Sequence, residues 1–475
     1  MAQKSTGFII LIIFILVLYG FKTSVGQLAE VFPEGLYRYA ATAFIGGSVC
    51  IWFLMPFSPS ASLFLLLLLL PLGARLSEYC LLEIGDVIVT IDVITIWITA
   101  IIAIGVHGIR RDMLAIYAGL FVILAVLSSM VNIDIFAPTI ICCGILTPFL
   151  VYGVIVSVIR DIRSVKLIAK ALGFAVVFCS FFAFSQPYIG GTVADYFYIR
   201  LPSIFYNPVI FANVIILLWP FTLIYEPVGA NRMPALTFVL RAVGVAASFS
   251  ALLLTGSRGA LVVFVVQALW LRGKFLTGSK HKVRYARYSF YLIAVGLSVA
   301  AYANVDFLRD TLLRRFYNLD FFEQGNSAHE RVMGVLGAFE LGFTNPFFGV
   351  GLGNFKYAYP YTNAATSGML ELETAHNFIL NLFAEIGLFG VAVWLLGLAG
   401  VLKRLNSVKK WLYAKRESSL YAVVKCSLLG YTATQFLFYG EFLHKNVGLP
   451  MIFYFVVLGV ASTLYFIQKK EGAHV

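Results

Sequence analysis

Charged residues are scarce in this chain. They make up 12% of its 475 residues, whereas hydrophobic residues make up 60%. The charged fraction is about half that of an ordinary soluble domain, so there are too few polar side chains to cover a soluble core. The composition therefore excludes a soluble globular protein and indicates a polytopic membrane protein in contact with a lipid bilayer.

Cysteine is also scarce, with six residues that lie mostly inside apolar runs. Neither a Cys-x-x-Cys pair nor a metal-ligand spacing is present, so we interpret the cysteines as packing residues and expect no metal and no other cofactor. The net charge is +12, but lysine and arginine lie in short clusters between apolar runs. Topology explains those clusters, and we expect no nucleic-acid partner.

Long apolar runs dominate the sequence and predict an all-α transmembrane bundle of 12 to 14 spans. The first run follows Lys4 and lacks a convincing signal-peptide cleavage site, so it is kept as a span. Two others are marginal, because Pro71 interrupts the third run and 259–271 is short. The predicted spans are 8–26, 39–57, 60–76, 91–107, 113–131, 136–159, 166–184, 208–225, 235–255, 259–271, 286–304, 376–402, 420–439 and 448–467.

Basic clusters between the runs predict the orientation. Each cluster is separated from the next by an even number of predicted spans, so all of them can face the cytoplasm together. The clusters begin at Arg110, Arg160, Arg272, Lys403 and Lys469. The remaining loops then face outward, and the longest is 305–375. We divide the chain into N-terminal helices (1–190), helices that carry outward arginines (191–304), a large outward loop containing short helices (305–375) and C-terminal helices (376–475).

Arg258 is an outward arginine that breaks the positive-inside rule. It lies in the segment Ser257-Arg258-Gly259-Ala260, where Ser257 is a candidate N-cap for the next helix. A cation in the first turn is disfavoured by the helix dipole, and no acidic residue is near it in sequence. A bound phosphate would compensate, helped by the free N–H groups of the helix start.

Further arginines lie in the same outward loops. Arg200 precedes Asn207-Pro208 and is either a snorkelling interfacial residue or a substrate ligand. Arg331 follows Glu330, which could simply pair with it, just before a helix-like run that Asn345-Pro346 ends. Arg309, Arg314 and Arg315 occupy neighbouring helical turns. They form either a solvated face or, for one of them, a substrate contact, which we assign to Arg315.

His376 is the candidate base. Thr374 can cap the following helix and would place His376 in its first turn, where the dipole keeps the imidazole neutral. A single histidine at a helix start is more often structural than catalytic. Its predicted position on the same side as Arg200, Arg258 and Arg331 favours the catalytic interpretation.

Glycines at 349, 351 and 353 superficially suggest a nucleotide-binding loop. A dinucleotide fingerprint requires a preceding strand and a following helix within a βαβ unit, and this segment has neither. The pattern instead predicts a tight backbone turn that returns the loop to the membrane.

Together these motifs resemble the superfamily of O-antigen ligases and O-antigen polymerases. The resemblance covers about residues 195–395. It rests on Arg200 with Asn207-Pro208, the Ser257–Ala260 turn, the stretch from Arg331 to Asn354, and His376-Asn377 followed by Glu385-Ile386-Gly387-Leu388-Phe389-Gly390. The sequence departs from the family in having more predicted spans than the usual twelve.

The resemblance implies a metal-independent, membrane-embedded glycosyltransferase of the C type in the bacterial inner membrane. It implies that undecaprenyl diphosphate carries the glycan donor on the periplasmic side. The acceptor would be lipid A–core in a ligase and a second lipid-linked repeat in a polymerase. Arginines matching Arg200, Arg258 and Arg331 would hold the diphosphate, and the histidine matching His376 would activate the acceptor hydroxyl.

The residues alone leave two alternatives to the ligase. A polymerase needs the same donor site, so the sequence does not separate it from a ligase. A lipid-linked glycan transporter would also place arginines along a path for an anionic lipid. Such a transporter should show pseudo-symmetry between its halves, which this sequence lacks.

Overall fold

The computed structural model describes residues 36–76, 81–84, 87–110, 112–130, 140–189, 203, 207–224, 234–275, 327–367, 371–437 and 449–472. The first predicted span, the predicted span 286–304, Arg200, Arg309, Arg314 and Arg315 lie outside these residues.

The described residues form an all-α bundle, because inside a membrane only a helix satisfies its own backbone N–H and C=O groups. The helices are α1 Leu36–Leu54, α2 Pro59–Leu76, α3 Ile91–His107, α4 Met113–Ser129, α5 Thr147–Val158, α6 Ile162–Ile189, α7 Pro208–Leu218, α8 Pro234–Thr255, α9 Arg258–Phe275, α10 Ser327–Thr344, α11 Phe355–Ala358, α12 Asn363–Ser367, α13 Phe378–Ser407, α14 Lys409–Ala414, α15 Ser418–Leu437 and α16 Leu449–Gly472. A π-helical turn, Ile140–Leu146, precedes α5, and 3-10 turns lie at Trp219–Ile224 and Tyr359–Tyr361. The predicted fold class, an all-α polytopic membrane protein, is confirmed.

A short hairpin is the exception to helical structure. Strand β1 (Leu81–Ile84) pairs antiparallel with β2 (Val87–Thr90), with Leu81 opposite Thr90. The predicted loop 77–90 therefore contains β structure. The segment Val87-Ile88-Val89-Thr90 consists of β-branched residues, which favour a strand.

Within the part of the chain that the structure describes, three helical segments are long and apolar enough to cross a membrane by themselves: Ile162–Phe184, Phe378–Ala414 and Leu449–Gly472. Seven shorter apolar helices accompany them, from Ala43–Leu54 to Leu240–Thr255. Each predicted run among the described residues is a helix, whereas the count of 12 to 14 spans stays a prediction.

Helix α16 is the centre of the bundle. Most of its side chains are buried, including Phe453, Val456 and Leu464, which have 0% exposure. It packs against α2, α5, α6, α7, α13 and α15. A helix that is apolar on every side is expected where neighbours surround it on every side.

The basic clusters meet at one end of the bundle. Lys166 pairs with Glu417, and Lys415 pairs with Glu471 at 2.9 Å. The Arg160 guanidinium donates to the carbonyl of His107 at 3.4 Å. These contacts join the end of α3 to the turn after α5, the first turns of α6 to the turn after α14, and that same turn to the C-terminal end of α16. The predicted common face of these four clusters is therefore present in the fold.

A buried ion pair fixes α13 at that end. Arg404 lies 2.5 Å from the Asp112 carboxylate, and the Tyr152 hydroxyl donates to the other oxygen of Asp112. The pair joins the start of α4, the middle of α5 and the last turn of α13. The stretch of α13 from Phe378 to Arg404 would extend about 40 Å in an unbroken helix at 1.5 Å per residue, and the non-helical residue Gly387 interrupts it. The segment Phe378–Ala414 is nonetheless long and apolar enough to cross the hydrocarbon core of a bilayer, which is about 30 Å thick.

A hydrogen-bond network around Gln267 lies within the apolar core. The Gln267 carboxamide accepts a hydrogen bond from Trp219 Nε1 at 2.7 Å and donates to the carbonyls of Ile216 at 3.1 Å and Cys426 at 3.0 Å. These bonds join α7, α9 and α15 where α7 tightens into a 3-10 turn. Every polar atom of the Gln267 side chain is thus used to hold three helices together.

Candidate active site

His376 lies in a short loop just before α13 and not within the helix. The N-cap of α13 is Asn377, whose side chain accepts a hydrogen bond from Leu380 N at 3.1 Å. Thr374 was expected to be the cap, and that expectation is wrong. Its hydroxyl oxygen instead accepts from the backbone N–H of His376 at 3.4 Å. His376 therefore precedes the helix by two residues.

The backbone of His376 is strained. Its φ angle is 50°, in the left-handed region that residues with a Cβ rarely adopt. Holding a residue with a side chain there costs about 1–3 kcal/mol, and such strain clusters at functional sites. The side chain is half-buried. Burial and repulsion from Arg331 lower the pKa of His376 to about 4, so the imidazole is neutral at physiological pH.

Two asparagines hold the strained loop in place. The side-chain oxygen of Asn381, which is 3% exposed, accepts from Ala375 N at 3.1 Å. The Asn377 side chain also donates to the carbonyl of Phe436 on α15. His376 therefore lies between two backbone positions that are each fixed by an asparagine side chain.

Arg331 lies in the second turn of α10, which begins at Ser327 and includes the segment His329-Glu330-Arg331. The sequence placed this segment before the helix. One turn later, Gly334 presses on the loop, since a Cβ on Gly334 would lie 3.2 Å from the backbone of Ala375. The small residue lets α10 approach closely and brings Arg331 to the side of His376.

Arg258 is the first residue of α9. It follows Gly256, which has a φ of 62°, and Ser257, whose carbonyl accepts from Leu261 N at 3.0 Å. Ser257 thus occupies the predicted N-cap position. The Arg258 side chain is half-buried.

Electrostatic interactions link the three residues in a row. Part of the Arg331 side chain is exposed to solvent, and protein atoms surround the rest. This partial burial lowers the pKa of Arg331. Repulsion from Arg258 lowers that pKa further, while Glu330 raises it. Arg331 in turn acts on His376. The fold therefore collects two mutually repelling cations beside a neutral imidazole, an arrangement suited to an anion next to a base.

The glycine-rich segment 345–354 packs against α13, the helix that follows His376. Gly349, Gly351 and Gly353 all have positive φ angles, between 70° and 104°. Val350 N donates to the carbonyl of Ala384 at 2.8 Å, and Gly351 N donates to that of Glu385 at 3.1 Å. The tight turn was predicted, but its bonds to the backbone of α13 were not.

Those bonds occur where α13 is broken. Gly387 has a φ of 75° within the helix, and Leu388 N donates to the carbonyl of Pro346 at 2.8 Å. The break leaves the carbonyls of Ala384 and Glu385 free to accept hydrogen bonds from outside the helix. The glycine-rich segment donates to both, and the Ser128 hydroxyl also donates to the carbonyl of Glu385, at 2.5 Å. The buried Glu385 side chain accepts from Phe355 N at 3.3 Å.

Among the described residues, no group of three or more His, Cys, Asp or Glu side chains is placed to hold a metal ion. The sequence analysis did not identify Asn381, Gly334 or the structural role of Glu385. For Asn381 there was one local signal, namely a polar residue inside an apolar run.

Residues 243–395 match the family model described as O-antigen ligase. The matched stretch is about a third of the chain and contains Arg258, Arg331 and His376, together with the break at Gly387. Arg200 lies before it. A search among curated proteins found no significant match.

The fold and the family match define an integral membrane enzyme of the glycosyltransferase type. The resemblance to the O-antigen ligase and polymerase superfamily is confirmed by the match over residues 243–395. The family match implies a lipid-linked glycan and an acceptor within a membrane as substrates.

Proposed function

We propose that the chain transfers a glycan from undecaprenyl diphosphate to an acceptor sugar hydroxyl, as an O-antigen ligase whose acceptor is lipid A–core. The observation that carries the proposal is the row Arg258, Arg331 and His376. Two arginines that repel each other favour a ligand with two negative charges, and a diphosphate brings them.

In the proposed reaction, the acceptor oxygen attacks the anomeric carbon of the donor sugar, and the bond from that carbon to the diphosphate oxygen breaks. Arg258 and Arg331 take up the charge that develops on the leaving diphosphate. His376 accepts the proton of the acceptor hydroxyl, which its neutral state allows. No metal is assigned to a step, because the arginines supply the positive charge.

Two further arginines complete the proposal. Arg200 is a proposed diphosphate ligand and Arg315 a proposed substrate contact, and both lie in predicted outward segments, before α7 and before α10 respectively. Arginine suits this role because its planar fork can bridge two oxygens, which the point charge of lysine cannot do.

We place the enzyme in the bacterial inner membrane with His376 facing the periplasm. The basic clusters support this orientation, since they lie at the opposite end of α13 from His376. Reporter fusions near residues 280 and 410 should then be cytoplasmic and one near residue 325 periplasmic. A cytoplasmic reporter near 325 would overturn the orientation.

Transfer by the purified protein in lipid nanodiscs tests the function directly. The donor is a glycan on undecaprenyl diphosphate, and lipid A–core or a second lipid-linked glycan is offered as acceptor. We expect product with lipid A–core and loss of most of it in Arg258→Lys. Product with the second lipid-linked glycan alone would make the enzyme a polymerase. Absence of product with either acceptor, in protein that is folded, would refute glycan transfer.

A further inference from the structure

Helix α10 exposes large apolar side chains although it belongs to the predicted aqueous loop. Val332, Leu336, Phe339 and Phe343 are 38%, 50%, 40% and 71% exposed. Their spacing of four, three and four residues places them on one face of the helix. At 1.5 Å per residue this apolar face is about 16 Å long.

The opposite face of α10 packs against the protein and contains Gly334, Gly337 and Ala338 beside one larger residue, Leu341. A Cβ on Gly334 would press on Ala375, and one on Gly337 would collide with the Tyr359 ring. A helix in water places its large apolar residues inward and polar residues outward. Small residues inside and large apolar residues outside are typical of helices that pack together within lipid.

The exposed face continues onto the outer surface of a membrane-spanning helix. The ring of Phe343 lies 5.6 Å from that of Phe383, and Phe347 lies 5.6 Å from Phe389. Phe389 and Leu388 belong to α13 and are themselves 46% and 54% exposed. The apolar surface of α10 is thus continuous with the exposed surface of a helix that is long and apolar enough to cross a bilayer.

The charges of α10 fit the same orientation. Glu330 and Arg331 lie in its first two turns, and Glu340 is the remaining charged residue of the helix. Both oxygens of Glu340 accept from Asn363 N, at 3.0 and 2.9 Å, so this carboxylate is directed to α12. The face formed by Val332, Leu336, Phe339 and Phe343 carries no charge.

We infer that α10 is an interfacial helix whose apolar face contacts the lipid acyl chains of the bilayer. Arg331 then lies at the level of the lipid headgroups, about a quarter-turn or slightly more around the helix from that face. A phosphate attached to a lipid can reach Arg331 without leaving its leaflet. The inference concerns the bilayer itself and does not require the proposed transfer reaction.

Photocrosslinking to lipid tests the inference in the full-length protein. Benzoylphenylalanine replaces Phe339 or, in a second variant, Leu336, and the protein is placed in nanodiscs made of one phospholipid. Glu371, an exposed residue of the loop before His376, is the control position. After illumination we expect an increase of one phospholipid mass at positions 339 and 336 and none at 371.

Two results would overturn the inference. Labels at both 339 and 336 that form no lipid adduct would place the apolar face of α10 in water. Crosslinks from both positions to protein would show that another part of the chain or a second copy covers the face. Glycan transfer could survive either result, so failure of this inference is distinguishable from failure of the proposed function.

Discussion

Replacing Gly387 by alanine should disrupt the packing of the glycine-rich segment 345–354 against α13. Gly387 has φ 75° and ψ −172°, a conformation essentially confined to glycine, in which another residue costs about 1–3 kcal/mol. Its Cβ would also collide with the carbonyl of Phe347. The glycine-rich segment would then have to move, which endangers three backbone hydrogen bonds worth about 1 kcal/mol each. If all three bonds are lost, the expected destabilisation is about 4–6 kcal/mol.

Gly400 in the same helix provides the matched control. A Cβ there would meet nothing within 4 Å, and Gly400 has no positive φ angle. The same substitution should be neutral or stabilise the helix by up to about 1 kcal/mol, because alanine is the better helix former.

Thermal unfolding in detergent can be followed with a thiol-reactive dye, since Cys179 and Cys426 are buried free cysteines. Gly387→Ala should expose them at a clearly lower temperature than the wild type, and Gly400→Ala should not. Equal midpoints for the two variants would refute the reasoning about the broken helix.

Three further predictions concern the loop, the core and the base. Asn381→Leu removes the acceptor for Ala375 N and should lower kcat about 10- to 100-fold with donor KM nearly unchanged, while Asn381→Asp should restore activity; equal loss in both variants would contradict a positioning role. Gln267→Leu leaves Trp219 Nε1 without its acceptor and should destabilise the protein by about 1–3 kcal/mol, measured in the same dye assay. An unchanged midpoint would contradict a stabilising role of the Gln267 hydrogen bonds. The transfer rate should be constant near neutral pH and fall as the pH drops through about 4, because protonation of His376 removes the base; a fall centred near pH 6.5 in protein that stays folded would contradict the lowered pKa.

Long apolar runs made most helices predictable. The run 91–107 has the same bounds as α3, Ile91–His107, and the run 113–131 differs from α4 by two residues at one end. Such runs have few ways to satisfy their backbone other than a helix. The order of spans and loops predicted only that Arg258, Arg331 and His376 face the same side of the membrane, and their assignment to a site stays a prediction.

Local details that depend on distant partners could not be predicted. Thr374 and Asn377 both suit an N-cap, and the choice of Asn377 is favoured by its bond to Phe436, which is 59 residues away in sequence. The break at Gly387 similarly depends on the segment around Pro346. The strands β1 and β2 were not predicted, because each has four residues and the segment 77–90 was interpreted only as a loop between two spans.

The central claim is that the arginines hold the donor and His376 takes the acceptor proton. Donor binding and single-turnover transfer, measured on His376→Gln in one nanodisc preparation, test it most directly. We predict unchanged affinity for the lipid-linked glycan and a transfer rate reduced by about 10²–10⁴-fold, the usual contribution of a general base. Loss of donor binding in this variant would contradict the claim and would make His376 part of the diphosphate site.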